Sequence, residues 1–174
     1  MFESKFEKYV VRKPAVITGV TEKKLIIEVP EGDVIPRMNA VNTGPLILFS
    51  SELVNEATAR VEYGFITGDT VIGNSSPKEK KLGAHKHEYA EIFLFLGTNP
   101  EDPRYLGAEV EFWLGEGEET ERMLLTTSSC VYVTPGVGHF PLIYRNVQNA
   151  VLMMVIVPDA SRHSAIAVQR KIVE

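Results

Sequence analysis

Nine short runs rich in Val, Ile, Leu, Phe and Tyr, separated by Gly, Pro, Asn, Asp and Ser, constrain this chain more than any other feature. They are KLIIEVP, GPLILFS, ARVEYGFITG, AEIFLFLG, GAEVEFWLG, RMLLTT, SCVYVTPG, HFPLIYR and AVLMMVIVP. So many strand-like segments at close spacing predict an all-β protein, a sandwich or a barrel. Helical periodicity is scarce. The best helix candidates are short, one over Ser51–Ala57 with Ser50 or Ser51 as N-cap, the other in the tail after Asp159. With 174 residues, no internal repeat and no shift in composition, one domain over 1–174 is expected, large enough to bury a substantial core. Within it, 1–60 holds N-terminal strands and a short helix, and 61–158 holds the barrel core.

Two runs carry further information. GAEVEFWLG alternates, with Ala108, Val110, Phe112 and Leu114 on one face and Glu109, Glu111 and Trp113 on the other. Trp113 is therefore expected outside the main core, as a surface aromatic partly covered by a loop or at a subunit interface. AVLMMVIVP is apolar on both faces, as for a strand buried on both sides or covered by a second chain.

Composition closes off several classes. Apolar content is 44% and charged content 24%, the balance of a globular chain rather than a disordered one. No run approaches the roughly 20 apolar residues of a membrane-crossing helix, so no membrane partner is expected. A net charge of −5 without a dense Lys/Arg stripe argues against nucleic acid. The single cysteine, Cys130, excludes an internal disulfide. With no apolar signal segment in MFESKFEKYVVRKPAV, a cytoplasmic location is expected. The basic cluster Lys78–Lys81 reads first as a solvated loop and second as a positive rim at a pocket entrance.

The chemistry lies in LGAHKHEYAEIFLFLG. His85 and His87 share one face of an extended chain, and Glu91 has the same parity. Six extended residues span about 20 Å, so the three can meet only if the chain turns between His87 and Glu91. The histidines then end one strand and Glu91 opens the next. His139 is the candidate fourth ligand, delivered by a tight turn through Pro135, Gly136 and Gly138. Three imidazoles and a carboxylate suit one divalent transition metal per chain, with coordination positions left open. Fe is favoured, with Mn, Zn or Ni as alternatives. His163, in DASRHSA, has no such company and reads as a surface or tail residue.

These residues resemble a known family. His85-x-His87-x3-Glu91 is similar to the first motif of the cupin superfamily, and TPGVGH, ending at His139, is similar to the second. The resemblance covers about Gly83 to Ile143. It implies a single-domain metal-binding cupin: a germin-like jelly-roll barrel of two antiparallel sheets with a metal inside, held by His85, His87, Glu91 and His139. It also implies a homodimer, often with N-terminal strands joining the partner's sheet. The chain departs from the motifs at Thr134 and Pro135, at Ile143 where an asparagine is usual, and at Gly97, which comes one residue early. None of these positions is a ligand.

The function expected from this site is a metal-dependent enzyme acting on a small organic molecule, first a non-haem Fe(II) oxygenase or dioxygenase. A non-redox isomerase or decarboxylase is the alternative; the stretch from Val131 to His163 resembles that of cupin-type sugar-phosphate isomerases. A non-catalytic metal-containing ligand binder is the second alternative. Glu91 is the one candidate for a catalytic group beyond the metal itself. Tyr63, Phe65, Phe93, Phe95 and Tyr132 are candidate pocket residues, and Arg104, Tyr144 and Arg145 are candidates to grip an anionic substrate.

Overall fold

The computed structural model describes residues 5–32, 34–36, 41–73, 83–159 and 163–168. Two antiparallel sheets face one another. The seven-stranded sheet runs in the order β10 (Ser129–Val133), β7 (Glu91–Gly97), β12 (Val151–Val157), β4 (Arg60–Ile66), β3 (Leu46–Phe49), β1 (Ala15–Val20), β2 (Leu25–Glu28). The second runs β13 (Ile166–Ala167), β6 (His85–Lys86), β11 (His139–Arg145), β8 (Tyr105–Leu114), β9 (Glu121–Thr127), with β5 (Thr70–Ile72) also paired to β11. This is the all-β architecture expected from the runs, and the jelly-roll barrel that the resemblance implies. All nine became strands; β1, β5, β6 and β13 come from segments outside them.

Alternation explains the core. Phe93 and Phe95 of β7, Met153 and Val155 of β12, Val110 and Phe112 of β8, and Leu142 and Tyr144 of β11 all point between the sheets and are buried. Burying each large side chain is worth about 1.5–3 kcal/mol relative to leaving it in water. Ala15, Ile17 and Leu48 form a smaller cluster where β1 and β3 extend the seven-stranded sheet.

The two outer faces differ sharply in character. On β8 the outward Glu111 lies 3.1 Å from Arg145 Nε and 3.7 Å from Arg122 Nη1, so that face is laced with charge. The outer face of the seven-stranded sheet carries none at its centre. β12 presents Leu152, Met154 and Ile156 there, β7 presents Ile92, Leu94 and Leu96, and β4 presents Val61, Tyr63 and Phe65, in register across the three strands. Thus AVLMMVIVP is buried within the chain on one face only; its other face is half-buried.

Three expectations need correction. Ser51–Ala57 is not a helix but a pair of turns, closed by Val54 N–H to Ser50 O at 3.2 Å and Ala57 N–H to Val54 O at 2.9 Å. Seven residues between two strands are too few to offset helix nucleation. The tail forms no helix over 163–168, where β13 pairs with β6. Trp113 lies outside the main core, as its parity requires, but at 7% exposure it is buried by its own chain rather than lying on the surface. The Lys78–Lys81 cluster falls outside the described residues.

Candidate metal centre

β6 ends after Lys86, the chain bends at 88–89, and β7 opens on Glu91. That corner carries the chain from one sheet to the other. On the far side β10 ends at Val133, Gly136 takes φ +83°, and β11 begins with His139, directly opposite His85. Gly138 is needed for close approach: a Cβ there would stand 2.5 Å from the Gly115 carbonyl oxygen, whose own N–H bonds back to Gly138 at 2.8 Å.

The result is a buried cluster. One ring nitrogen from each of His85, His87 and His139 lies within 4.8 Å of the other two, so the three can hold a metal ion. Glu91 joins them: Oε2 is 3.1 Å from His139 Nε2 and Oε1 is 3.4 Å from His87 Nε2. Each imidazole is fixed from behind by a main-chain carbonyl. His85 Nδ1 donates to Gly83 O at 2.6 Å, His139 Nδ1 to Val137 O at 3.2 Å, and His87 Nδ1 to Ser164 O. A carbonyl only accepts, so Nδ1 carries the proton and Nε2 keeps a lone pair, the arrangement usual behind a metal-ligating histidine.

The charge states agree. Burial, then the neighbouring His139, brings His85 down to about 3, and burial lowers His87 as well. Burial alone would raise Glu91, but His139, His87 and Arg60 around it hold it down at about 2. His85 and His87 are thus pushed toward their neutral forms beside an ionised carboxylate. His139 Nε2 is buried and makes no hydrogen bond among the described residues, although Glu91 stands beside it. Acceptors facing acceptors repel unless a cation lies between them, so the donor set fits a divalent transition metal.

The cluster sits in the wall of a cavity of about 670 Å³ between the sheets, bounded also by β1, β2, β5 and the segment 41–44. Of the pocket candidates, Phe93 lines it and Phe65, 44% exposed, borders it. Phe95 is buried in the core beside Phe112 and Tyr144. Tyr63 and Tyr132 do not line it: both stand on the outer face of the seven-stranded sheet, Tyr132 at 60% exposure. Arg104 and Arg145 are exposed and Tyr144 is a core residue whose hydroxyl is pushed up by burial. His163 is not a surface residue. It lines the cavity with its ring centroid 5.4 Å from that of His87, its Nε2 donating to Thr21 O at 3.1 Å.

Sequence reasoning missed Arg60, Glu62 and Tyr89. Arg60 and Glu62 share the inward face of β4 with Ile66, and both line the cavity. The signal was present: in RVEYGFI, taking Ile66 as inward makes Arg60 and Glu62 inward too, whereas taking Tyr63 and Phe65 as inward hides them. Tyr89 stacks on His87 with centroids 4.5 Å apart and donates to Ser164 O at 3.2 Å.

Comparison with solved structures gives the fold. Recombinant oxalate oxidase in complex with glycolate superposes with a TM-score of 0.50 at 8% identity, over 90% of this chain and 79% of that one. Vicilin from Corylus avellana (hazelnut) gives 0.49 at 10% identity over 72% of this chain, and a cupin-2 domain protein from Rhodospirillum rubrum gives 0.43 at 10% over 79% of this chain and 70% of that one. The chain spans 31% of the length of the hazelnut vicilin. No protein-family model matches the sequence, and no curated protein sequence does. The architecture is the all-β jelly roll of the cupin barrel, with the His85–Glu91 and Thr134–His139 segments meeting at the cluster.

Proposed function

We propose that the protein is a metal-dependent enzyme acting on a small organic molecule within the barrel, first as a non-haem Fe(II) oxygenase. The observation that carries this reading is the convergence of three backbone-anchored imidazoles and Glu91 on one point in a cavity wall. His85, His87, His139 and Glu91 would hold the ion. Bound there, a divalent metal supplies Lewis acidity to a substrate oxygen and, as Fe(II), redox chemistry with dioxygen. The chain's own part is to keep His85 and His87 neutral, to hold Glu91 ionised, and to exclude water with Phe93, Met153 and Val155 on the wall.

One observation favours a non-redox isomerase or decarboxylase. Glu62 lines the same cavity, and burial pushes its carboxyl up, toward the form that carries a proton. A proton-carrying carboxyl in the cavity wall is the kind of general acid that isomerisation uses. Elemental analysis of anaerobically prepared wild type beside His87→Ala separates the readings. About one Fe per chain, lost in the variant, leads to oxygen-consumption assays. Mn, Zn or Ni leads to isomerase and decarboxylase assays. No uptake of any of the four sinks both.

The same reading includes a homodimer. A chain of net charge −5 meets its own copy at least cost through a face without charge, and the centre of the outer face of the seven-stranded sheet is such a face. A reducing, cytoplasmic setting is supported by Cys130, which is free and exposed.

A further inference from the structure

The cavity wall holds one group that neither the metal cluster nor the fold accounts for. Arg60 is 2% exposed, and among the described residues it is the only Lys or Arg lining the cavity. Its Nε lies 2.7 Å from Glu62 Oε1, and its Nη2 lies 3.4 Å from the Tyr89 hydroxyl and 3.6 Å from Glu91 Oε1. Nη1 has no hydrogen-bonding partner among the described residues, and Nε is not aligned to bond Glu62 despite the short distance.

Burying a guanidinium with idle donors is costly unless something accepts from them. The protein acceptors nearby are otherwise engaged. Glu91 is held against His87 and His139, and Glu62, though its Oε1 lies 2.7 Å from Nε, leaves Nη1 without an acceptor. A planar fork of donors suits a carboxylate, which takes two parallel bonds from it.

Position fixes the rest of the ligand. A single carboxylate oxygen, Glu91 Oε1, stands between Arg60 Nη2 and His87 Nε2, so the guanidinium borders the metal cluster. Away from this polar corner the lining is mostly apolar, with Val20, Leu25, Leu46, Ile72 and Met153 among it. A cavity of about 670 Å³ falls within the roughly 300–1,000 Å³ that takes a molecule of drug size.

We infer that the cavity takes organic acids with an apolar body, whose carboxylate is bound by Arg60 beside the metal cluster. The inference names the substrate class of the site proposed above and rests on that reading for its place in catalysis.

The test compares three probes of one shape by titration calorimetry at pH 7.5: 3-phenylpropionate, 3-phenylpropanamide and 3-phenylpropylamine. Wild type is expected to bind the acid at least tenfold more tightly than the amide. Arg60→Met should remove that preference. Because this variant leaves Glu62 facing an apolar wall and can fail to fold, Arg60→Met combined with Glu62→Leu is measured beside it, with the same expectation. Equal affinity for acid and amide, preference for the amine, no binding of any probe, or a preference that survives in the double variant each overturns the inference. Metal content is determined on the same samples. Selectivity for the acid in protein that takes up no metal keeps the inference and sinks the proposed enzyme, while metal uptake without selectivity does the reverse.

Discussion

At the scale of single residues, the decisive detail is which nitrogen of each histidine faces the cavity. Three main-chain carbonyls take the Nδ1 protons of His85, His87 and His139, so their lone pairs are aimed before any ion arrives. Truncating His139 to alanine should lower metal affinity by ~100-fold or more, beyond the roughly 10–100-fold typical of losing an outer partner. Equilibrium dialysis with circular dichroism on the same sample checks this; full affinity in a folded His139→Ala protein would remove His139 from the site. Acid should weaken the metal-free protein. His85 falls from 6.5 to about 3 and His163 from 6.5 to about 4, each chiefly through burial. Between those values the unfolded chain binds protons that the folded one does not, so stability is lost as pH drops from about 6.5 toward 3. Glu91, lowered from 4.5 to about 2, adds to the loss below 4.5. Glu62, raised by burial, works the other way, and its contribution fades as pH rises above 4.5. Melting temperatures of metal-free protein from pH 7 to 4 should therefore decline continuously, and a flat profile would show that the histidines are not buried neutral.

At the scale of elements, strand identity and the two corners were legible because each has a local cause. Alternation gave β8, punctuation by Gly and Pro gave the turns, and the distance argument between His87 and Glu91 required the bend found at 88–89. What failed had no local cause. β5 and β13 are three and two residues long and exist by pairing with β11 and β6. Ser51–Ala57 has helix-forming residues but room only for turns. Arg60 and Glu62 were lost to a choice of face on β4 that hydrophobicity alone cannot make, since Val61, Tyr63 and Phe65 are more apolar than the residues that point inward. The Gly138 approach makes its own prediction. Gly138→Ala should destabilise by about 2–4 kcal/mol, because backbone rather than a flexible side chain must yield to the new methyl group. It should also weaken metal binding by shifting the adjacent His139. Chemical denaturation and dialysis report the two effects, and wild-type stability in the variant would contradict the packing described.

At the scale of the whole molecule, the uncharged outer face of the seven-stranded sheet carries the dimer proposal. Leu152→Glu with Met154→Glu places two carboxylates at the centre of that face without touching the inward side of β12. Sedimentation velocity should show wild type at twice the chain mass and the variant at one. A monomeric wild type at high concentration would end the proposal. The same variant should bind metal as wild type does, since the cluster lies on the other side of the sheet.

The cluster has a mechanical consequence. His85 and His139 stand on the six-stranded sheet, Glu91 on the seven-stranded one, and His87 on the link between them. An ion there would act as a rivet through two plates, and it could not leave until the plates part. Its escape would then be timed by the breathing of the barrel rather than by the strength of any chelator outside. Raising the chelator concentration should accelerate release only up to a ceiling, and small amounts of urea should lift that ceiling.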